Sequence, residues 1–418
     1  MTNNRDGPPI QRPDCRVGGA GLKPLSDCLV LDFTKVLAGP LCAQYLGDLG
    51  ANVIKLEPTG HGDDTRRWPP FRGENGTVFL SCNRNKRSIA VDLKTDAGKS
   101  IARRLARKAD IVIESFGPGV PKRLGIDYET LKADNPRLIY CSISGFGRKG
   151  PLRNGKGYDV ILQAFSGMMS ITGEEGGPPS RSPFSPVDQT TGIHALSGIL
   201  AALLNRERTS EGALVEVSLF DTSLAFLAYF FQGYWEKGTQ PTKSGSGHES
   251  LCPYQAFETA DTEILLGVAN DSLWQKFCVV AGLAEAAHDP RFKTNADRVA
   301  HRALTVDMVQ AVLLLRTRDE WLAVLNDSDI PCAPINAFAD VMAHPHTAAS
   351  GMITELQHES YGSLKTVGQP ITFGGERNQP GLPPPMLGEH TRQILGELGY
   401  SPDEITQFED DKAVLAGP

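Results

Sequence analysis

Cys28-Leu29-Val30-Leu31-Asp32-Phe33 is followed by Ala38-Gly39-Pro40 and then by Asn52-Val53-Ile54-Lys55-Leu56-Glu57. The first and last of these segments are apolar runs that read as buried strands. Between them, Pro40 is well placed for the first turn of a helix that runs to about Asp48 and stops at Leu49-Gly50. A strand-helix-strand unit of this length implies parallel pairing through a right-handed crossover. The alternation continues outward: a helix is expected over 96–108 before a strand at 110–114, and another over 128–134 before a strand at 137–142. The fold class is therefore α/β, with a Rossmann-like sheet in the N-terminal part of the chain. No GxGxxG follows the first strand and no GxxxxGK[ST] occurs, so no NAD, FAD or P-loop site is expected.

Further along, a strong helix is expected over 190–208, with Ile193, Leu196, Ile199, Leu200, Leu203 and Leu204 on one broad stripe. A strand at 214–220 and an aromatic helix over 221–235 follow. Residues 237–250, rich in Gly, Ser, Thr and Lys, have the composition of a mobile loop or linker. From Pro253 to about His344 the pattern changes to short strands (255–259, 263–269) and then helices, which reads as a second, smaller α+β domain. The last segment carries a strand-like 351–355, a proline-rich run at 380–385 and a helix near 391–398 whose partner the pattern does not reveal.

With 42 Lys+Arg against 49 Asp+Glu among 418 residues, the chain carries a formal charge of −7. That balance argues against a dedicated nucleic-acid binder, which needs a basic face, though a local cluster of Lys and Arg can still hold an anionic ligand. No stretch approaches the roughly 18 consecutive apolar residues of a membrane span. The eight cysteines are scattered without a CxxC pair, so neither disulfides nor a zinc site is expected, and His344 and His346 lack partners for a metal. The first 23 residues read as a tail without signal or transit character, and a cytoplasmic enzyme is the default expectation.

Asp188 stands in Pro186-Val187-Asp188-Gln189-Thr190-Thr191-Gly192, immediately ahead of the expected long helix. One reading makes it an N-cap that accepts a backbone N–H. The other makes it a nucleophile, since a carboxylate at a helix start can face a cleft and attack an activated acyl group. Lys156-Gly157-Tyr158-Asp159 reads as a turn. Asp64-Thr65-Arg66-Arg67-Trp68, Asn83-Arg84-Asn85-Lys86-Arg87-Ser88 and the segment around Arg123 are basic clusters, either solvated faces or sites for a phosphate-rich ligand. His194, six residues beyond Asp188, is off its face of the helix and reads as a packed histidine.

Several ordered motifs resemble the class III CoA-transferases, the group containing formyl-CoA transferase, the carnitine and bile-acid CoA-transferases and α-methylacyl-CoA racemase. They are Asp32-Phe33-Thr34-Lys35-Val36-Leu37-Ala38-Gly39-Pro40, Leu49-Gly50-Ala51-Asn52-Val53-Ile54-Lys55-Leu56-Glu57, Gly62-Asp63-Asp64-Thr65-Arg66, Asn83 to Ser88, Leu138 to Gly147 and Leu387-Gly388-Glu389-His390-Thr391. The resemblance runs from about residue 25 to the end and thins between about 280 and 335.

The resemblance implies a nucleophilic role for Asp188, which forms an aspartyl-acyl anhydride and then an aspartyl-CoA thioester. It implies phosphate contact at Arg123, adenine contact at Leu124, and Lys156 and Tyr158 along the path of the CoA thioester. Pro58 replaces an arginine frequent in the family, so one phosphate contact is either lost or supplied by Arg66, Arg67 or Arg84. Leu37 replaces a glutamine that several transferases place before Ala-Gly-Pro, which hints at a different acyl group. The glycine turn Gly245-Ser246-Gly247 is expected to cover the site and keep water from the anhydride, and His248, in Gly247-His248-Glu249-Ser250, resembles a substrate loop of members acting on dicarboxylates such as succinate and glutarate. The implied reaction moves CoA from an acyl-CoA, foremost succinyl-CoA, to a small dicarboxylate, with the CoA thioester a substrate and no cofactor held permanently. A racemase is the alternative, but its histidine base would stand at Tyr158, and a tyrosine ionising near pH ~10 is a poor base. A non-catalytic CoA-binding protein is the third reading. The implied architecture is a tail (1–23), a large domain from both chain ends (24–235 and 346–418) and an inserted small domain (236–345), in an interlocked homodimer.

Overall fold

The computed structural model describes residues 21–417, so the expected tail lies outside the described residues except for Gly21 to Lys23. The chain divides into two compact units. The larger comprises the residues up to Ser166, Pro183–Tyr229 and His346 onward; the smaller comprises Gly167–Ser182 and Phe230–Pro345. Residues 167–182 thus belong to the smaller unit, although they carry none of its sequence pattern.

The larger unit is a mixed α/β body around a sheet of β1 (Leu29–Asp32), β2 (Asn52–Glu57), β3 (Lys86–Val91), β4 (Ile111–Glu114), β5 (Ile139–Ser144), β6 (Ala213–Ser218) and β7 (Val414–Leu415). Their spatial order is β7-β3-β2-β1-β4-β5-β6, parallel throughout except for β7, which pairs antiparallel with β3. The order reverses between β1 and β4, which makes the carboxyl ends of those strands a topological switch point, the usual ligand crevice of such sheets.

Parallel strands covered on both faces run apolar, yet β2 and β3 carry buried Lys55, Glu57, Lys86 and Arg87. Each of the four is paired. Lys55 meets Asp63 at 3.0 Å, Lys86 meets Asp32 at 3.0 Å, Glu57 takes Arg66 at 2.7 Å, and Arg87 reaches Glu397 at 2.8 Å.

The principal helices of this unit are α1 (Ala38–Asp48), α2 (Asp96–Lys108), α3 (Val120–Leu124), α4 (Tyr128–Asp134), α5 (Asp159–Phe165), α6 (Pro186–Thr209), α7 (Leu219–Phe226), α8 (Thr391–Glu397) and α9 (Pro402–Asp410), with further short helices at Asp64–Arg67 and Thr77–Cys82. Thr95 caps α2 by accepting the Gly98 amide, and Ile101, Ala102, Leu105 and Ala106 face the sheet. The C-terminal helix finds its partner here: Ile394, Leu395 and Leu398 enter the same core as Ile89 and Val91 of β3. The aromatic helix expected over 221–235 is two helices, because it breaks at Leu227 between α7 and Ala228–Lys237.

The smaller unit has its own three-stranded antiparallel sheet, with Glu263–Gly267 between Tyr254–Glu258 and Cys332–Pro334. Trp274, Phe277, Val309, Leu313 and Trp321 from three surrounding helices fill its core. Residues 238–253 form no helix or strand, but they are tied down. Arg302 donates to the carbonyls of His248, Glu249 and Leu251 at 3.0, 2.8 and 3.2 Å, and Asn295 holds Ser250 and Cys252.

Candidate active site

The long helix begins earlier than its apolar stripe suggests, at Pro186, and this changes the standing of Asp188. It is the third residue of α6, not its cap. The capping residue by position is Ser185, whose side chain makes no capping bond. That work falls to Asp159, at the start of α5. Its Oδ2 accepts the amides of Val187 at 2.9 Å and Asp188 at 3.0 Å, while Gln163 donates to its Oδ1. Two of the orphan N–H groups of α6 are thereby satisfied by a carboxylate well suited to the helix dipole.

The Asp188 carboxylate itself accepts no hydrogen bond among the described residues and is only 8% exposed. Burial, with the Asp159 charge beside it, pushes its pKa up to about 7. A carboxylate so poorly solvated is a stronger nucleophile than one in water, provided it is ionised.

One turn beyond Asp188, a Cβ on Gly192 would stand 2.6 Å from the Ala38 carbonyl, so the backbones of α6 and the start of α1 approach closely. The loop leading into α1 is strained: Val36 has φ +71°, a genuine outlier for a β-branched residue. It is held there by its surroundings. The Val36 amide donates to Asp63 at 3.3 Å, Lys55 donates to the Thr34 carbonyl at 2.8 Å, and Asp32 accepts the Thr34 amide at 2.9 Å. Leu37, half-buried, ends this loop.

Beside the loop, at the switch point, lies a cavity of about 190 Å³ whose lining includes Phe33, Lys35, Pro58, Lys94 and Phe116. Lys35 and Lys94 are exposed. The segment after Phe116 leads to α3, where Arg123 is exposed and carries no ion pair among the described residues. Leu124 is different: its side chain is buried in the core with Ile126 and Leu131, and its carbonyl accepts Arg103 Nε at 2.9 Å.

Lys156 and Tyr158 are both exposed, and Tyr158 immediately precedes Asp159. This turn is fixed by contact between two glycines. A Cβ on Gly157 would lie 2.7 Å from the Gly145 Cα at the end of β5.

Arg66 and Arg84 require correction as phosphate ligands. Arg66 is spent on Glu57, Asn75 and the Pro385 carbonyl, and its guanidinium lies on the Phe79 ring at 3.6 Å. Arg84 forms a two-point pair with Asp48. With Lys86 and Arg87 also paired, the cluster Asn83–Ser88 is internal scaffolding. Arg67 alone of the named replacements is exposed.

In the smaller unit, Gly245 adopts φ +56° and its amide donates to the Gly173 carbonyl. Gly247 closes a turn with Ser244, and the His248 ring packs edge-on against Tyr254 at 5.7 Å. His194 hydrogen-bonds Thr222 on α7 at 3.3 Å.

A mostly parallel sheet with a switch-point cavity, a bare buried carboxylate in the first turn of a helix and basic groups near the crevice suit an anionic ligand at the carboxyl ends of the strands. Comparison with known proteins gives the class. The model of CoA-transferase family III matches residues 25–391, and the chain belongs to that family. It is 40% identical to the succinate–glutarate CoA-transferase of Agrobacterium fabrum, over 90% of this chain and 96% of that one. It is 39% identical to the acetyl-CoA:oxalate CoA-transferase of Acetobacter aceti, over 86% and 92%. A crystal structure of a CaiB/BaiF family protein from Brucella suis superposes with a TM-score of 0.79 at 38% identity, over 90% of this chain and all of that one. The protein is a CoA-transferase, and its substrates are acyl-CoA thioesters. Among the described residues no helix is long and apolar enough to cross a membrane.

Proposed function

We propose that the enzyme moves CoA from succinyl-CoA to a small dicarboxylate through covalent intermediates on Asp188. The observation that carries this reading is the Asp188 carboxylate, buried, without a hydrogen bond, in the first turn of α6. Its oxygen attacks the thioester carbonyl, the C–S bond breaks, and CoA thiolate leaves an aspartyl-succinyl anhydride. The thiolate then attacks the aspartyl carbonyl, releasing succinate and forming aspartyl-CoA. The acceptor carboxylate displaces the thiolate to give a second anhydride, and the thiolate takes the acceptor acyl group, freeing Asp188. Each step exchanges one acyl bond for another, so thioester energy is kept and no redox partner is needed.

The CoA nucleotide lies at the switch-point cavity, with Arg123, Lys35 and Lys94 as phosphate partners and Leu124 beside adenine. Lys156 and Tyr158 line the path of the thioester, and Leu37 meets the acyl chain. Gly245, Gly247 and His248 present the acceptor. The dicarboxylate preference rests on the resemblance of the His248 loop and on the 40% identical relative named for succinate and glutarate. A homodimer fits Phe165, Ile193, Leu204 and Phe226, large apolar side chains that a single chain leaves about half exposed.

Intact mass after incubation with succinyl-CoA and no acceptor tests the reading. A succinyl or CoA adduct is expected on the peptide carrying Asp188, absent from Asp188→Ala, and discharged by glutarate faster than by acetate. No adduct across a panel of acyl-CoA thioesters removes Asp188 as nucleophile.

A further inference from the structure

We propose that Asp159 is a positioning residue of the transfer reaction, capping α6 in place of Asp188 so that the nucleophilic carboxylate stays free of hydrogen bonds. The inference rests on the reading of Asp188 as nucleophile. An acidic side chain in the first turn of a helix ordinarily folds back onto the free amides there. Here the amides of Val187 and Asp188 are already taken by Asp159 Oδ2. Gln163 fixes the other oxygen, and the Gly145–Gly157 contact fixes the turn that presents Asp159. Bound in this way, Asp159 keeps its own oxygens occupied and leaves those of Asp188 open to an incoming thioester.

Asp159 also sets the charge beside the nucleophile. The elements packed on α6 are α1, α5, α7, β5 and β6. Cys42, Tyr45 and Asp48 on α1, Tyr140 and Cys141 on β5, Glu216 on β6 and Asp221 on α7 are the other titratable groups on these elements. Asp48 is paired with Arg84, Asp221 is tied to Ser218, Glu216 is exposed, and burial keeps Cys42, Tyr45, Cys141 and Tyr140 neutral. Of all these only Asp159 acts on Asp188 electrostatically.

The test is the single-turnover rate of adduct formation from succinyl-CoA, measured against pH for the wild type, Asp159→Asn and Asp159→Ala. Asn keeps an acceptor oxygen for the amides but removes the charge. Its rate at high pH is expected within about threefold of wild type, and the midpoint of its pH profile lower by on the order of one unit. Ala removes the cap, and its rate is expected to fall about 100-fold at every pH with the KM for succinyl-CoA nearly unchanged. A merely structural acid would lower thermal stability in both variants and move neither the midpoint nor the rate. A wild-type midpoint in Asp159→Asn overturns the proposal, and does so even where Asp159→Ala fails to fold. Absence of an Asp188 adduct in the wild type would instead sink the underlying reading of the nucleophile.

Discussion

Asp188 sits in the folded chain at a cost to its own ionisation. Its pKa rises from 3.8 to about 7, chiefly through burial, so the native state binds a proton more tightly than the unfolded chain does. Stability from this group is complete below pH ~4 and is lost as pH climbs through about 7, with a ceiling of about 4 kcal/mol for a shift of this size. Asp188→Asn is therefore expected to melt higher than wild type at pH 8, with the gap closing by pH 4; melting curves across that range check it. Equal melting temperatures at pH 8 would mean that the carboxylate is better solvated than its surroundings indicate.

The arginines separate the same way, by what surrounds them. Arg84→Ala strands the buried Asp48 carboxylate and should cost about 3–5 kcal/mol in urea unfolding. Arg123→Ala, on an exposed short helix, should change stability by no more than about 0.5 kcal/mol while weakening CoA binding. In sequence, Arg66, Arg84 and Arg123 look alike. Composition shows only that positive charges cluster; whether a carboxylate 36 residues away, as Asp48 is from Arg84, reaches back to neutralise them depends on the fold. Asp159 was hidden for a related reason: its two partners lie 28 and 29 residues further on.

Among the elements, those with strong local signals agree with the sequence pattern. β2, α2 and α4 fall where an apolar run or an apolar stripe between caps puts them. α9 escaped although Ser401-Pro402-Asp403-Glu404 is a capping box, with Ser401 accepting the Glu404 amide and Glu404 accepting the Ser401 amide. β7, two residues long, leaves no periodicity to read. The start of α6 was misjudged by four residues because Pro186 to Gln189 add nothing to its apolar stripe, and the cap comes from another helix. The packing of α6 on α1 is the element-scale feature most exposed to test. Gly192→Ala drives a methyl group to 2.6 Å from the Ala38 carbonyl, a contact that only movement of one helix can relieve. A loss of about 1–3 kcal/mol is expected in urea unfolding with an unchanged m-value. Adduct formation should fall as well, because the same shift displaces the start of α1 from the first turn of α6. Wild-type stability would show that the two helices separate freely.

At the scale of the whole molecule, the two units hold separate apolar cores, one around the parallel sheet and one around Trp274 and Trp321. The chain has four tryptophans, and the two buried ones both lie in the smaller unit. Trp68 and Trp235 are exposed and already in contact with solvent. The shift of tryptophan emission on unfolding therefore reports the smaller core, while far-UV ellipticity averages over every helix in both. Stability in the larger unit comes with five buried ion pairs among the described residues, whose desolvation cost is not recovered once one partner is exposed. The smaller core is mainly aromatic and aliphatic, with Arg298 as its fully buried charge. Two cores of such different composition should respond differently to pH and salt. Lowering the pH below about 4 begins to remove the support that carboxylates give the larger unit, among them Asp32, Glu57 and Asp63, whose pKa values are held below their ordinary range by Lys86, Arg66 and Lys55 against the cost of burial. Their depressed pKa values mean that this stability is present at neutral pH and is lost as pH falls through them. Urea unfolding followed by both probes at pH 7 and at about pH 2 is expected to separate the curves at the lower pH, with ellipticity lost before emission shifts. Coincident curves at both values would mean that the two cores unfold as one cooperative body.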